Sequence, residues 1–243
     1  MDDASTLLRV AAGADLRDPF SLYPPIGEER PPAEVRALRV AFSPTLGYAA
    51  PDRDVLDAVT GAVKKLESVW PNMEIVDFVC PDPAEILATE FIGGCSARLG
   101  DAVDVTPELI DPPLLAAIKE FRTIGSDRYG RIMRRRIEHR ETLRRFFARF
   151  DLLLTPTTPC IAWEIDRGLP PGHEAATVWS YYTYPFNLGH QPAGTLPCGH
   201  GRAGMPVGLQ FVAPLLREAD LVGAMRIAER LLAVDGVPRE VME

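Results

Sequence analysis

The 243-residue sequence is poor in everything that builds a metal or disulfide framework. It has four cysteines (Cys80, Cys95, Cys160, Cys198) and four histidines (His139, His173, His190, His200), scattered without C-x-x-C or H-E-x-x-H spacing. A zinc site and a disulfide scaffold are therefore not expected. Basic residues are outnumbered 26 to 34, for a net charge of −8, which argues against a nucleic-acid footprint. No P-loop, G-x-G-x-x-G or G-x-S-x-G motif is present, so there is no signature of a phosphate cradle, dinucleotide site or nucleophile elbow. Met1 is followed at once by two aspartates rather than by a signal peptide, so a soluble, reduced, cytoplasmic chain is expected. One charge-free run, residues 175–201, exceeds the ~20 residues of a membrane span. Its Pro185, Asn187, His190, Gln191, Pro192 and Pro197 exclude a transmembrane helix and predict a segment buried in protein instead.

What is there reads as an ordinary globular domain, 47% hydrophobic and 25% charged, with 23 prolines that predict many ordered loops. Residues 2–12 read as a short helix stopped by Gly13, and 14–36 as an irregular proline-rich linker. A buried strand at 38–42, an amphipathic helix at 52–69 and a strand at 73–79 follow, a βαβ signature that predicts an α/β sheet. Residues 83–150 read as mainly helical, broken near Gly93-Gly94, Pro112-Pro113 and Gly125. Strands are expected at 151–155, 194–197 and 207–212, and a closing helix at 218–234. The organisation is one domain over 1–243, with a helix and linker at 1–36 and an α/β body from 37.

Two features invite a chemical reading. Gly93-Gly94-Cys95-Ser96 is the one glycine-flanked candidate nucleophile, set against a buried structural cysteine with no positioned base. The helix at 127–150 carries nine arginines, of which Arg136 and Arg140 fall within its apolar stripe. Either their stems cover the edge of the core with the guanidinium groups in water, or they contact an anion or a substrate carboxylate. RNA binding by this helix is not expected at the net charge of the chain.

Residues 150–165 read FDLLLTPTTPCIAWEI; TYPFNLGHQPAGTLPCG and GMPVGLQFVAP follow. Asp151, Leu153, Pro156, Thr157 and Pro159 make one block, and Thr183, Pro185, Asn187, Leu188, Gln191, Pro192 and Ala193 a second. Pro197, Cys198, Gly199, Pro206, Gly208, Leu209 and Gln210 complete the pattern. Together with DDASTLLRVAAGADLRDP and LRVAFSPTLGYA near the start, these blocks closely resemble, in order, the C-terminal half of the amidase signature family. The resemblance implies a partial amidase-signature α/β/α sandwich, a mixed sheet flanked by helices. It also implies amide hydrolysis to a carboxylate plus ammonia or an amine, with no metal or organic cofactor.

That family works through a Lys–Ser–Ser triad, with the lysine neutral as base and glycine N–H groups holding the oxyanion. The matching residues would lie before the segment aligned with Asp2. The sequence has only Lys64, Lys65 and Lys119, none in the required context, and no Ser-Ser or Ser-Gly-Gly. No catalytic residue is therefore assigned here, and the chain is expected to be inactive alone. Its expected share is scaffold and a wall of the acyl pocket, with Thr158, Ile161, Trp179 and Tyr182 as substrate-binding residues. Trp163, Tyr181 and Tyr184 are further pocket aromatics, unless they serve ordinary core packing. Pro156, Pro159, Pro185 and Pro192 should stiffen loops at strand ends, with Asn187 and Gln191 satisfying buried backbone groups there. Ser180 stands where glutamine-using members tend to carry an acid, which favours the general amidase branch.

The expected partners are a small amide substrate, if the missing half is supplied, and a complementing chain or a second copy. Neither nucleic acid nor membrane is expected. Two alternatives stand beside this reading: a non-catalytic binding protein on an amidase scaffold, and one chain of a split amidase.

Overall fold

The computed structural model describes residues 1–19, 21, 27–28, 30–166, 168–170, 172–173, 180–202 and 204–233. A five-stranded mixed sheet in the order β2-β1-β3-β5-β4 forms the middle layer. Its strands are β1 (Val40–Phe42), β2 (Glu74–Ile75), β3 (Leu152–Pro156), β4 (Ala193–His200) and β5 (Pro206–Val212). The first three run parallel, whereas β5 is antiparallel to both β3 and β4.

Strand alternation sends side chains to two cores. Leu152, Leu154, Leu209 and Phe211 point into one, against α2 (Pro32–Arg36), α3 (Arg53–Leu66) and α9 (Glu218–Leu232). Ala41, Leu153 and Val212 point into the other, against α7 (Ser126–Arg149) and α8 (Tyr184–Gly189). The architecture is thus the α/β/α sandwich that the family resemblance implied. A satellite cluster, Ile86, Ile132 and Leu188, ties α4 (Ala84–Leu99) to α7 and α8.

Several boundaries depart from the sequence reading, each for a physical reason. The linker region contains α2, whose Val35 is buried and whose carbonyl accepts a hydrogen bond from Trp70 Nε1 at 3.0 Å. Strand β2 is only two residues, because Pro44 ends β1 and has no N–H to extend the ladder. Beyond it, Val76 N–H reaches Phe42 O and Val79 N–H reaches Leu46 O, so the chain wraps the 44–48 turn. Gly93-Gly94 does not break the helix; α4 runs straight through it. A Cβ on Gly93 would sit 2.8 Å from the Phe121 ring, so this glycine is a close-approach point against α6 (Pro112–Phe121). The other two breaks occur as expected: Pro112 and Pro113 open α6 behind the Asp111 side-chain cap on Leu114 N–H, and Gly125 caps α7.

The charge-free run is only partly buried. From Ser180 on it forms α8, unforeseen in the sequence, and then β4. Tyr184, Pro185, Phe186 and Leu188 are buried, whereas Asn187 and His190 are exposed. Asn187 therefore does not serve buried loop groups. Helix α8 starts with Pro185 in its first turn and stops at His190, which takes a left-handed conformation, φ +63°.

A carboxylate clamp aligns the two central parallel strands where they begin. Arg39 Nε and Nη2 donate to Asp151 Oδ2 and Oδ1 at 2.9 and 3.0 Å, and Arg39 N–H donates to Oδ2 at 3.0 Å. The Arg39 guanidinium holds the Asp151 carboxyl below its ordinary range, against the opposing effect of burial. A lowered folded-state pKa stabilises the fold above the unfolded value and loses that contribution as pH falls through the folded one. Between about pH 6 and 3, spanning the unfolded carboxylate value of ~3.9, wild-type stability should therefore fall more steeply than that of Asp151→Asn. Urea titrations across that range check this, and parallel curves would refute it.

Candidate functional site

Ligand sites in α/β sheets lie beyond the C-terminal ends of parallel strands. Here β1 ends at Ser43-Pro44 and β3 runs out through Thr157-Thr158-Pro159. Ser43 N–H donates to Leu154 O at 2.9 Å, its hydroxyl accepts Leu46 N–H at 3.0 Å, and Asp52 N–H donates to Pro159 O at 2.6 Å. These bonds hold the two loops side by side.

Across the end of the sheet, Thr155, Gln210 and Thr195 pair in one row, so their side chains share a face. Gln210 is buried and its Nε2 donates to Thr155 Oγ1 at 3.0 Å and to Tyr182 O at 2.6 Å. One step further out, Thr157 Oγ1 donates to Thr195 Oγ1 at 3.2 Å. Gly208 lies beneath this contact. A Cβ there would stand 2.7 Å from Thr157 Oγ1 and 2.8 Å from Thr195 Cγ2, so a glycine is needed for the two threonines to meet. The result is a shelf of hydroxyl and carboxamide groups, buried at Thr155 and exposed at Thr195 and Thr158. Every group on it is neutral. It can orient a polar ligand by hydrogen bonds but carries no base to move a proton.

The four residues assigned to substrate from the sequence divide around this shelf. Thr158 is exposed at its rim, its Oγ1 donating to Cys160 O at 2.9 Å. Ile161, half-buried on the α3 side, lines an open cleft of about 720 Å³ with Asp52, Cys160, Trp163 and Arg202. Tyr182 is fully buried, its hydroxyl donating to Pro44 O at 2.6 Å. Its carbonyl reaches the shelf through Gln210, and burial pushes its phenol up. Trp179 lies outside the described residues. Of the other aromatics, Tyr184 is a core residue whose hydroxyl donates to Asp82 at 2.6 Å, Tyr181 stacks edge-on against Tyr48, and Trp163 borders the cleft half-exposed.

Gln210 and the threonine row were not singled out from the sequence as site residues. The available signal was a glutamine inside the otherwise apolar strand PVGLQFV. A buried polar side chain at such a position requires a built partner set.

The other reactive groups are held in inert states. Cys160 lies near the Asp52–His173 pair, which is joined at 3.0 Å. Burial, reinforced by Asp52, pushes the Cys160 thiol up to about 11, so it is protonated at neutral pH and is no nucleophile. Cys95 sits in mid-helix, half-buried, with no strand-to-helix elbow. Lys64, Lys65 and Lys119 are all exposed, and lysine acts as a neutral base only when burial lowers its pKa. Among the described residues no group of three or more His, Cys, Asp or Glu could hold a metal ion. No helix among them is long and apolar enough to cross a membrane.

The arginine helix resolves into two kinds of residue. Arg136 Nε lies 2.9 Å from Glu90 Oε1, and its Nη2 lies 2.9 Å from His190 Nε2. Burial, then Arg136 and Arg140, pull the His190 pKa down, so its neutral ring accepts from Arg136. Arg136 is thus an anchor between α4, α7 and α8, whereas Arg140 is exposed.

This chain is similar to a set of amide-hydrolysing proteins and their relatives. It is 27% identical over 227 residues to an acylamidase of Rhodococcus erythropolis, covering 89% of this chain and 47% of that one. It is 28% identical over 257 residues to a component of the glutamyl-tRNA(Gln) amidotransferase of Synechococcus sp. (strain RCC307), covering 90% and 51%. Its fold matches that of a bacterial aryl acylamidase of the amidase signature family (TM-score 0.75, 20% identity, 94% of this chain and 51% of that one). It also matches 6-aminohexanoate cyclic dimer hydrolase (TM-score 0.72, 23% identity, 96% and 53%). The chain thus spans about half the length of the relatives it matches. A family model described as Amidase matches residues 1–222, and the chain accordingly belongs to the amidase family.

Proposed function

We propose that this chain supplies the scaffold and one wall of the acyl pocket of an amide hydrolase whose lysine and serines lie on another segment or chain. The reaction of the complete enzyme is amide hydrolysis to a carboxylate and ammonia or an amine, in the cytoplasm, without metal or organic cofactor. One observation carries this reading: nearly the whole chain matches amidases while spanning half their length, and it holds no buried lysine and no Ser-Ser pair.

The threonine–glutamine shelf suits a neutral amide, which offers one donor and one acceptor to such groups. Of the residues the family resemblance assigns to substrate, Thr158 stands at the rim of this shelf and Ile161 lines the neighbouring cleft. Tyr182 contributes its carbonyl through Gln210, and Trp179 is assigned by the resemblance alone. Uncovered surface supports a complementing segment. Leu7 and Val10 on α1 (Asp2–Ala11) are 69% and 79% exposed, and among the described residues β4 pairs with β5 alone. Ser180, where glutamine-using members tend to carry an acid, favours simple aryl or aliphatic amides as substrates.

The test is an assay of the purified chain against aryl and aliphatic amides, with a serine-directed fluorophosphonate probe. Alone it should neither turn over nor label. Coexpressed with the segment encoded immediately upstream of Met1, it should do both. Labelling of a serine in this chain alone would overturn the reading. The lack of any lysine- and serine-bearing amidase segment beside it would favour a non-catalytic binding protein instead.

A further inference from the structure

Of the nine arginines on α7, seven meet carboxylates. One of the seven, Arg136, reaches α8 as well: its Nη2 lies 2.9 Å from His190 Nε2. A guanidinium has only donors, so this contact holds only while that ring nitrogen is an acceptor. His190 is then neutral, with its proton on Nδ1. The other end of α8 is held by a second histidine in the opposite sense. His139, buried on α7, has its Nε2 2.8 Å from Pro185 O. A carbonyl only accepts, so here Nε2 carries the proton.

The two contacts answer acid differently. A protonated His139 still donates from Nε2, because the second proton enters at Nδ1. A protonated His190 has no acceptor left and sets a cation against Arg136. The charged groups facing it are Arg136 and Arg140 on α7 and Glu90 on α4. Glu90 opposes the repulsion, but its Oε1 already lies 2.9 Å from Arg136 Nε. Burial and then the two arginines hold the His190 ring below the ordinary histidine range, and burial acts in the same direction on His139. A lowered folded-state value stabilises the contact above the unfolded one and withdraws that contribution as pH falls through the folded one.

The turn that ends α8 is closed by backbone bonds from His190 N–H to Asn187 O at 3.2 Å and from Gln191 N–H to Phe186 O at 3.0 Å. Gly189 is packed so closely that a Cβ there would meet Leu143 Cδ1 at 2.6 Å. Gln191, expected from the sequence to satisfy buried backbone groups, instead has its own Oε1 buried against Gly189 without a hydrogen-bond partner. A buried acceptor without a donor is costly, and opening the turn would hydrate it. The closed turn is thus held against a local penalty.

We propose that the C-terminal turn of α8 is an acid-released latch. Protonation of His190 drives it off Arg136 and frees residues 189–191, while His139 keeps the first turn of α8 seated. Residue 191 leads into β4, so the release loosens the entry to the strand that carries Thr195. The latch belongs to this chain and stands independently of the proposed hydrolysis.

NMR of the chain tests it. In long-range nitrogen–proton spectra at neutral pH, His190 should show the Nδ1–H tautomer and His139 the Nε2–H tautomer. Between about pH 7.5 and 5, spanning the ordinary histidine value of ~6.5, the Gln191 amide should exchange about threefold faster or more once intrinsic pH dependence is removed. The Asn187 amide, bonded to Thr183 O in the first turn, should hold its protection. His190→Gln keeps an acceptor within reach of Arg136 that no proton converts, so its Gln191 amide should lose the acid response. An Nε2–H tautomer at His190, or equal Gln191 exchange at the two pH values, would overturn the proposal. So would an undiminished response in His190→Gln, or equal loss of protection at Asn187. The tautomer and the wild-type exchange decide the outcome even if the variant does not fold.

Discussion

Phe211→Ala should lower the free energy of unfolding by about 3–5 kcal/mol, the range for removing a buried aromatic ring. Phe211 is fully buried in the centre of β5, flanked in register by Leu154 on β3 and Gly194 on β4. The site cannot readily close over the lost ring. A Cβ on Gly194 would already lie 2.5 Å from Met225 Sδ, so α9 is seated hard against β4. On the other side Leu154 is held by ladder bonds to both neighbouring strands. The cavity term should therefore be near its full value. Denaturant titration should show a lower midpoint at unchanged slope. A loss below about 1 kcal/mol would contradict the packing described for this core.

The neighbouring substitution, Gln210→Leu, should cost about 2–4 kcal/mol although it preserves volume and adds apolar surface. Gln210 faces the opposite side of β5 from Phe211, and its carboxamide is the donor to both Thr155 Oγ1 and Tyr182 O. Leucine removes two hydrogen bonds and leaves the Tyr182 carbonyl buried without this donor. The orphaned acceptor, more than the lost bonds, sets the size of the effect. A cycle with Thr155→Val separates the terms. The two substitutions share one hydrogen bond, so their costs should sum to more than that of the double variant. Strict additivity would mean that the bond across the shelf contributes nothing. Phe211 and Gln210 are both at or below 4% exposure, yet one is held by dispersion and exclusion of water and the other by directed bonds.

Much of the fold was legible in residue order. Periodicity placed α3, α7 and α9 to within a few residues, because each buries a continuous apolar stripe that propensity alone would not maintain. The βαβ reading of the first strands was correct in kind and direction. Gly93-Gly94 was misread as a break, since a glycine pair looks the same whether it ends a helix or admits a ring from a neighbour. Helix α8 escaped notice because its six residues, with a proline in the first turn and a left-handed histidine at the end, are too few to show a period. Its position is set by tertiary bonds. His139 Nε2 lies 2.8 Å from Pro185 O, and Gln210 holds the Tyr182 carbonyl just ahead of it.

The site divided in the same way. The loops at the ends of β1 and β3 were marked by their prolines, and the scarcity of lysine was plain from composition. Which side chains face those loops was not. Tyr182 and Trp163 are both aromatic residues beside the expected pocket, yet one is sealed in the core and the other borders an open cleft. Arg136 and Arg140 lie four apart on one helix, yet among the described residues only the first has a carboxylate partner. Their difference depends on Glu90, 46 positions from Arg136 in the chain, being close enough for an ion pair.

The sequence by itself determined the family, the layered α/β class, the apolar stripes, the scarcity of lysine and the lack of a Ser-Ser pair. Those properties reside in residue identity and local spacing. Tertiary structure alone decided that Thr155, Gln210 and Thr195 form one row, that burial keeps the Cys160 thiol protonated, and that seven of the nine α7 arginines meet carboxylates. Those depend on strand register and on distances between residues far apart in the chain, which packing sets only when the whole sheet has formed.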